Sequence, residues 1–189
     1  MNLNIPYMET DNKLLNDAYR IAAGDIVGNI VYYQNGLLTE EKPCMIAGLD
    51  YNTPWTRDTA INIWNALSIL SPEVSKNTLL AVLEEEEGNI YIGGQYWDSI
   101  IWMIGAREYC RFHKDDNFYR LAFEAGRNSV HRLEEDEFDE EDGLFRGPAV
   151  YGDGIAAYPD KYSKCPNQGS GILEWVAVSY THLTLPTKL

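Results

Sequence analysis

The stretch that decides the fold is residues 58–86, DTAINIWNALSILSPEVSKNTLLAVLEEE. Its first half carries apolar residues at the spacing of one helical face, namely Ala60, Ile63, Trp64 and Leu67. This spacing predicts a helix over residues 58–70. Ser71-Pro72-Glu73 predicts a new helix start, because a Ser cap, an early Pro and an acid beside the positive helix end all favour one. We expect the second helix to reach about Glu86, so the stretch predicts a helical hairpin.

Similar patterns flank this hairpin on both sides. A first helix is predicted over residues 12–31, weakened at Gly24 and Gly28, and a loop follows over residues 35–54. Downstream, one helix is expected from Trp97 to about His113. Another begins after a cap at Asp115 or Asp116 and carries four apolar residues on one side: Leu121, Ala122, Ala125 and Leu133.

Strand signals are weak by comparison and are confined to residues 89–92 and 149–151. Five helices with alternating short and long links indicate consecutive helical hairpins. The prediction is therefore an all-α fold, and a bundle and a stacked helical toroid both satisfy it.

The chain has 189 residues, and its net charge of −14 is concentrated in two places. Residues 134–142 read EEDEFDEED and residues 84–87 are four glutamates, and each run precedes a glycine. We interpret both runs as solvated turns after helices, since neither has the alternating acids and distal Glu of a calcium loop. The charge excess therefore says little about the ligand.

Composition excludes several classes of function. An acidic chain repels phosphates, so neither a nucleic-acid nor a membrane partner is expected, and no apolar run approaches about 20 residues. Residues 1–14 lack the basic start and apolar stretch of a secretory signal, which favours the cytoplasm. Three widely spaced cysteines form neither a disulfide framework nor a zinc site. We expect no metal and no cofactor.

Three loops, at residues 50–58, 93–98 and 142–154, combine aromatic rings with carboxylates. Sugars are bound by this mixture, because flat rings stack on C–H faces and charged groups form paired hydrogen bonds to hydroxyls. The candidate ligand-binding residues of the three loops are Trp55, Arg57, Asp58, Tyr96, Trp97, Asp98, Arg146, Tyr151 and Asp153.

Each of these residues also has a purely structural interpretation. Trp55 and Trp97 could be core residues at helix starts, and Arg57–Asp58 could be a surface ion pair. Asp98 could be a helix cap, and Asp153, between two glycines, a turn residue. Their coincidence in three loops is what favours a carbohydrate site.

The first loop resembles a known family. Pro54-Trp55-Thr56-Arg57-Asp58 is similar to the W-x-R-D element of glucoamylase-type six-hairpin glycosidases, in which the Arg and Asp hold the terminal sugar. The Gly152-Asp153-Gly154 loop resembles the acid-bearing loop of the α-glucosidase and mannosylglycerate-hydrolase branch, although Gly154 and Ile155 replace the Asn or Asp and the Ser of that branch. The resemblance implies an (α/α)6 toroid, inversion at the anomeric carbon, and Asp153 as the general acid.

Inversion also requires a second carboxylate that activates water. Glu174 is the one late candidate, and its position is that of an ordinary helix-face acid. Residues 178–187 resemble translated sequencing-adapter DNA. We therefore expect residues 1–177 to be part of an (α/α)6 catalytic domain, residues 178–189 to be a non-native tail, and the chain itself to be inactive and poorly soluble.

The leading hypothesis is an exo-acting, inverting glycoside hydrolase that takes a terminal sugar from an oligosaccharide or small glycoside. The alternative is a non-catalytic carbohydrate-binding or scaffold protein. A helical lyase or isomerase ranks last, because it would need a base such as His113 or His131, and both fall on predicted helices.

Overall fold

A computed structural model of the chain describes residues 5–94, 98–141 and 143–145. Helices make up 57% of these residues, which confirms the prediction of a mostly helical chain. The helices are α1 (Lys13–Gly28), α2 (Thr56–Asn62), a π-helical segment (Ile63–Leu67), α3 (Ser68–Leu70), α4 (Pro72–Ala81), α5 (Asp98–Phe112) and α6 (Asp116–Glu137). Because α2, the π-helical segment and α3 are continuous, we call them together the α2–α3 helix.

Short antiparallel hairpins, each of two strands, lie between α1 and α2, between α4 and α5, and after α6. The strands are β1 (Ile30–Tyr33), β2 (Lys42–Met45), β3 (Leu83–Glu86), β4 (Asn89–Ile92), β5 (Phe138–Asp139) and β6 (Leu144–Phe145). Hairpin β1–β2 packs on α4, and hairpin β3–β4 packs on α6 through β4. The strand predicted at residues 89–92 is confirmed as β4. The strand predicted at residues 149–151 lies outside the described residues.

The second helix of the predicted hairpin is shorter than expected. It ends at Ala81 instead of about Glu86, and the chain turns into β3. The cause is tertiary: Leu83 pairs with Ile92 across the hairpin, and both side chains are buried in the main core. The glutamate run at residues 84–87 is therefore a strand and its turn, and the interpretation as a turn after a helix is wrong.

Three other boundaries also differ from prediction. The first helix ends at Gly28 instead of residue 31, so that Ile30 and Val31 belong to β1, and the predicted loop at residues 35–54 contains β2. The acidic run at residues 134–142 begins inside α6 and continues into β5. In each case, pairing with a distant strand or continuation of a helix decides the boundary.

The α2–α3 helix confirms the helix predicted over residues 58–70, with one change in its buried face. Ala60, Ile63 and Leu67 are buried as predicted, but Trp64 is 51% exposed. The π-helical segment accommodates one more residue per turn than an α-helix, so spacing that assumes a regular α-helix misplaces Trp64. Trp64 is therefore a surface residue.

The core forms where the α2–α3 helix crosses α5. Gly105 permits the close approach, because a Cβ there would lie 2.8 Å from the Cα atom of Ala60. The Trp102 indole N–H donates to the Leu79 carbonyl at 3.3 Å. The largest core side chain is therefore buried with a hydrogen-bond partner for its one polar group. The most deeply buried apolar side chains include Ile63, Leu67, Val74, Leu79, Leu83, Trp102 and Phe118.

Two helices differ in how they are held. Asp115 caps α6, as predicted, by accepting from the Phe118 backbone N–H at 3.0 Å, and it also accepts from Lys76 at 2.6 Å. By contrast, α1 has no buried residue, and Leu14 and Ile21 are 79% and 66% exposed.

Among the described helices, none combines the length and the apolar character needed to cross a bilayer.

Candidate functional site

The site is built around the first turn of α2. Trp55 occupies the N-cap position in an extended conformation, and the Thr59 N–H donates to its carbonyl at 2.8 Å. This geometry places Arg57 and Asp58 on the first turn, where the positive end of the helix favours a carboxylate. The buried Thr56 hydroxyl donates to the Gly93 carbonyl at 2.7 Å and so joins the first predicted loop to the second.

A cavity of about 230 Å³ opens beside this turn. It is lined by Ala47, Tyr51, Trp55, Arg57 and Asp58. The Tyr51 and Trp55 rings pack edge to face, with centroids 5.9 Å apart and planes at 76°. Their exposed fractions are 51% and 39%, so the interpretation of Trp55 as a core residue does not hold. The cavity thus joins two accessible rings, a guanidinium and a carboxylate.

Arg57 also connects this cavity to the start of α5. Its Nε lies 3.9 Å from Oδ1 of Asp98, a buried residue in the first turn of that helix. At this distance the attraction is Coulombic, and it is stronger than at the surface because both side chains are largely removed from water. Asp98 therefore helps to orient Arg57 and neutralises part of its charge.

A second cavity, of about 220 Å³, is also bordered by Trp55. Its wall includes residues from four parts of the chain: Asn35, Thr53, Trp55, Glu84, Gly93, Gly94 and Asp98. Trp55 lines both cavities. The two spaces therefore share one aromatic wall.

The structure brings four of the predicted site residues together. Trp55, Arg57 and Asp58 line the first cavity, and Asp98 lines the second. The other five, Tyr96, Trp97, Arg146, Tyr151 and Asp153, lie outside the described residues, as does Glu174.

Tyr51 and Glu84 are among the cavity residues that were not predicted as site residues. Tyr51 lies in the loop that the prediction used, four residues before Trp55, so the aromatic composition of that loop could have indicated it. Glu84 was assigned to a solvated acidic turn. The apolar residue before it and the Glu-Gly turn after it are the signals that could have placed it on a hairpin.

Other reactive side chains of the described residues are used elsewhere. Burial raises the pKa of the Cys44 thiol to about 12, so it is not a nucleophile at neutral pH. The His113 ring donates to the Ser68 carbonyl at 2.6 Å and packs on Tyr109, while exposed His131 contacts Glu134. Neither histidine lines the two cavities.

Within the part of the chain that the structure describes, no three His, Cys, Asp or Glu side chains are grouped as metal ligands would be. Comparison of the chain with protein-family models, with curated proteins and with solved structures gave no match.

Proposed function

We propose that the chain belongs to an exo-acting, inverting glycoside hydrolase built on an (α/α)6 toroid, and that the first cavity holds the terminal sugar of an oligosaccharide or small glycoside. The observation that carries the proposal is the lining of this cavity, where Tyr51 and Trp55 are exposed beside Arg57 and Asp58. The resemblance of residues 54–58 to the W-x-R-D element supports the same conclusion.

The aromatic pair provides the apolar part of the recognition. An edge-to-face pair presents one ring face and one ring edge, and such rings bind the C–H face of a pyranose while excluding water. Exposed aromatic rings that line a concave surface are unusual unless a ligand covers them. Tyr51 and Trp55 therefore fit the apolar face of a sugar.

The charged pair provides the polar part. Arg57 has five N–H donors in a fixed fork, and an ionised Asp58 can accept from two neighbouring hydroxyls. Arg57 is also beside Asp98, so these three side chains together carry a net charge of −1 when all are ionised. This net negative charge repels a phosphorylated ligand, whereas a neutral ligand rich in hydroxyl groups can bind.

Hydrolysis with inversion needs an acid and a water-activating base on opposite sides of the sugar. The resemblance assigns the acid to Asp153, which lies outside the described residues. The described part of the site supports sugar binding in particular, and the chemical step is the component that the resemblance adds.

The test is sugar binding by the full chain, measured by isothermal titration calorimetry with methyl α-glucoside, methyl α-mannoside and methyl α-rhamnoside. Trp55→Ala and Asp58→Asn should each weaken binding about tenfold or more, because each removes a ring contact or a charged hydrogen bond. Trp64→Ala is the matched control, since Trp64 is exposed on the same helix outside both cavities.

The test has three outcomes. Absence of saturable binding for all three glycosides contradicts the proposal. Release of inverted sugar from p-nitrophenyl glycosides, abolished by Asp153→Asn, supports the hydrolase. Binding with no hydrolysis supports the sugar site and fits either an inactive hydrolase chain, as the sequence predicts, or the alternative, a non-catalytic carbohydrate-binding or scaffold protein.

A further inference from the structure

We propose that Glu84 is a ligand-binding residue that accepts hydrogen bonds from a second sugar unit in the second cavity. This inference rests on the proposed function, because it extends the same site past Trp55. It assigns a role to a carboxylate that the sequence pattern placed on a solvated turn.

The sizes of the two cavities are the first argument. Ligand pockets usually measure about 300–1,000 Å³. At about 230 and 220 Å³, each cavity is smaller than this range, whereas the two together fall within it. Since Trp55 lines both, a ligand that fills both spaces would contact this ring.

The second argument is the position of Glu84 beside two glycines, Gly93 and Gly94, in the wall of the second cavity. A Cβ on Gly93 would lie 2.5 Å from Oε1 of Glu84, and a Cβ on Gly94 would lie 3.1 Å from Oδ2 of Asp98. The two carboxylates therefore lie against neighbouring glycines and border the same cavity. Gly94 has φ 119°, a conformation that side chains rarely adopt, so this surface is kept free of side chains.

The third argument is that the Glu84 carboxylate is available. It makes no hydrogen bond or ion pair with any residue that the structure describes. Arg132, a cation close to the same hairpin, is committed elsewhere: its Nη2 donates to Glu86 at 2.6 Å, and its guanidinium lies 3.4 Å from the Tyr91 ring centroid. Glu84 can therefore accept hydrogen bonds from a ligand without breaking one to any of the described residues.

The charge of this wall defines the class of ligand. Glu84 and Asp98 together repel a carboxylate, so the second unit is a neutral or amino sugar and not a uronic acid. A carboxylate accepts from two adjacent hydroxyls in a bidentate arrangement, which a ring with vicinal hydroxyls provides. The site then takes a ligand of at least two units, with one in each cavity.

The experiment compares disaccharides with their one-unit counterparts on the full chain by isothermal titration calorimetry. The probes are maltose with methyl α-glucoside, and α-1,2-mannobiose with methyl α-mannoside. The wild type should bind one disaccharide more tightly than its one-unit counterpart. Glu84→Gln should weaken that disaccharide about tenfold and leave the one-unit ligand unchanged, because only the charged hydrogen bond in the second cavity is lost.

Glu85→Gln is the matched control. Glu85 is the next residue of the same strand, is also exposed, and points to the opposite face, so its substitution should change neither affinity. Circular dichroism spectra of both variants should match that of the wild type, since both substitutions keep side-chain size.

Each contrary result has a definite meaning. If neither disaccharide binds more tightly than its one-unit counterpart, or if Glu84→Gln leaves disaccharide affinity unchanged, the role of Glu84 is overturned while the proposed function stands. Equal weakening of one-unit and two-unit ligands places Glu84 at the first cavity and also overturns the inference. If the wild type binds none of the four probes, the proposed function fails together with it.

Discussion

At the scale of single residues, the site depends on side chains that serve both the fold and the ligand. Thr56 is buried and fixes the start of α2 to Gly93, while its neighbour Trp55 is left accessible at the N-cap position. Asp98 is buried beside Arg57, which keeps the guanidinium in place between two elements. Trp55 and Arg57 are thus held in place by neighbours that are themselves buried.

The turn of the β3–β4 hairpin contains a residue whose backbone conformation does not suit its type. Glu87 has φ 52° and Gly88 has φ 79°, and a two-residue type I′ turn requires both values to be positive. Asn adopts this conformation more readily than Glu. We expect Glu87→Asn to raise the free energy of unfolding by about 0.5–1 kcal/mol, as measured by urea denaturation.

Glu85→Asn is the control for this substitution. It removes the same charge from the same hairpin but replaces a strand residue with ordinary dihedral angles. A comparable gain in Glu85→Asn would mean that reduced charge repulsion, and not the backbone, accounts for the effect.

At the scale of elements, the contact between the α2–α3 helix and α5 fixes the distance between the two loops that form the site. Arg57 and Asp98 stand on the first turns of these two helices. Their separation therefore depends on how closely the helices approach at Gly105, where the Ala60 backbone leaves no room for a side chain.

Gly105→Ala should disturb this contact. A Cβ at this position would lie 2.8 Å from the Cα atom of Ala60 and 3.0 Å from its carbonyl oxygen, and the backbone cannot yield without moving the helix. We expect a loss of about 1–3 kcal/mol in the free energy of unfolding, as measured by urea denaturation.

Gly126→Ala provides the contrast. There a Cβ would meet the Sδ atom of Met103, the far end of a flexible side chain that can rotate away. Because Ala favours a helix over Gly by about 1 kcal/mol, the net change should be small or stabilising. Equal losses at both positions would contradict the tight contact at Gly105.

The N-terminus of α6 should make stability depend on acid pH. The hydrogen bond from Lys76, and then that from the Phe118 N–H, hold the pKa of Asp115 below its ordinary value of 3.8. A carboxyl whose pKa is lowered on folding stabilises the protein above its ordinary pKa. That stabilisation is lost as the pH falls from 3.8 through the lower pKa of the folded state.

Asp115→Ala should lower the free energy of unfolding by about 1–2 kcal/mol at pH 7, since it removes both the cap and the ion pair. Asp115→Asn should lose less, because its side-chain oxygen still caps the helix, and its difference from the wild type should shrink below pH 4. Urea denaturation at several pH values measures this, with Asp116→Asn as the control. A difference that is independent of pH would argue against the role of the charge.

At the scale of the whole molecule, apolar surface is distributed unevenly. Four helices of the described residues carry large apolar side chains that are more than one-third exposed: Leu14, Leu15, Ile21 and Val27 on α1, Ile61, Trp64 and Ile69 on the α2–α3 helix, Phe112 on α5, and Tyr119 and Phe123 on α6. Monomeric proteins rarely leave extended apolar surfaces uncovered. The surface of α1 stands out, because no residue of that helix is buried.

We therefore expect the chain to self-associate as its concentration rises, which sedimentation velocity would detect. Replacing both Leu14 and Ile21 with Gln should shift the distribution toward monomer, because it removes the two most exposed apolar side chains of α1. Lys13→Gln on the same helix should leave association unchanged. A wild-type chain that stays monomeric at all concentrations and unfolds in one sharp thermal transition would contradict the expectation.

Local patterns predicted the helices well, because helix periodicity and caps such as Asp115 depend on residues within one or two turns. They could not predict the end of α4. Leu79, Val82 and Leu83 continue an acceptable helical spacing, and only the pairing of Leu83 with distant Ile92 makes the chain extended there. Trp64 was misplaced for a comparable reason, since the sequence pattern contains no sign of the π-helical segment.

The site residues also fall into those that a local pattern could predict and those that depend on tertiary contacts. Trp55, Arg57 and Asp58 are neighbours in sequence, so a short motif could predict that they act together. The packing of two helices brings Arg57 close to Asp98. The packing of a hairpin places Glu84 beside Gly93. Side chains that come together only through tertiary packing carry no joint signal in a single sequence.

The hydrogen bond from Thr56 to Gly93 also has a meaning for protein engineering. It fastens the start of α2 to Gly93, directly after β4, so a change of length in either loop would shift the other out of register. Transplanting only the segment around Trp55 into another helical scaffold would leave Arg57 without the neighbour that orients it. The two loops are therefore a single transferable module, and a new ligand preference is best sought by varying both together.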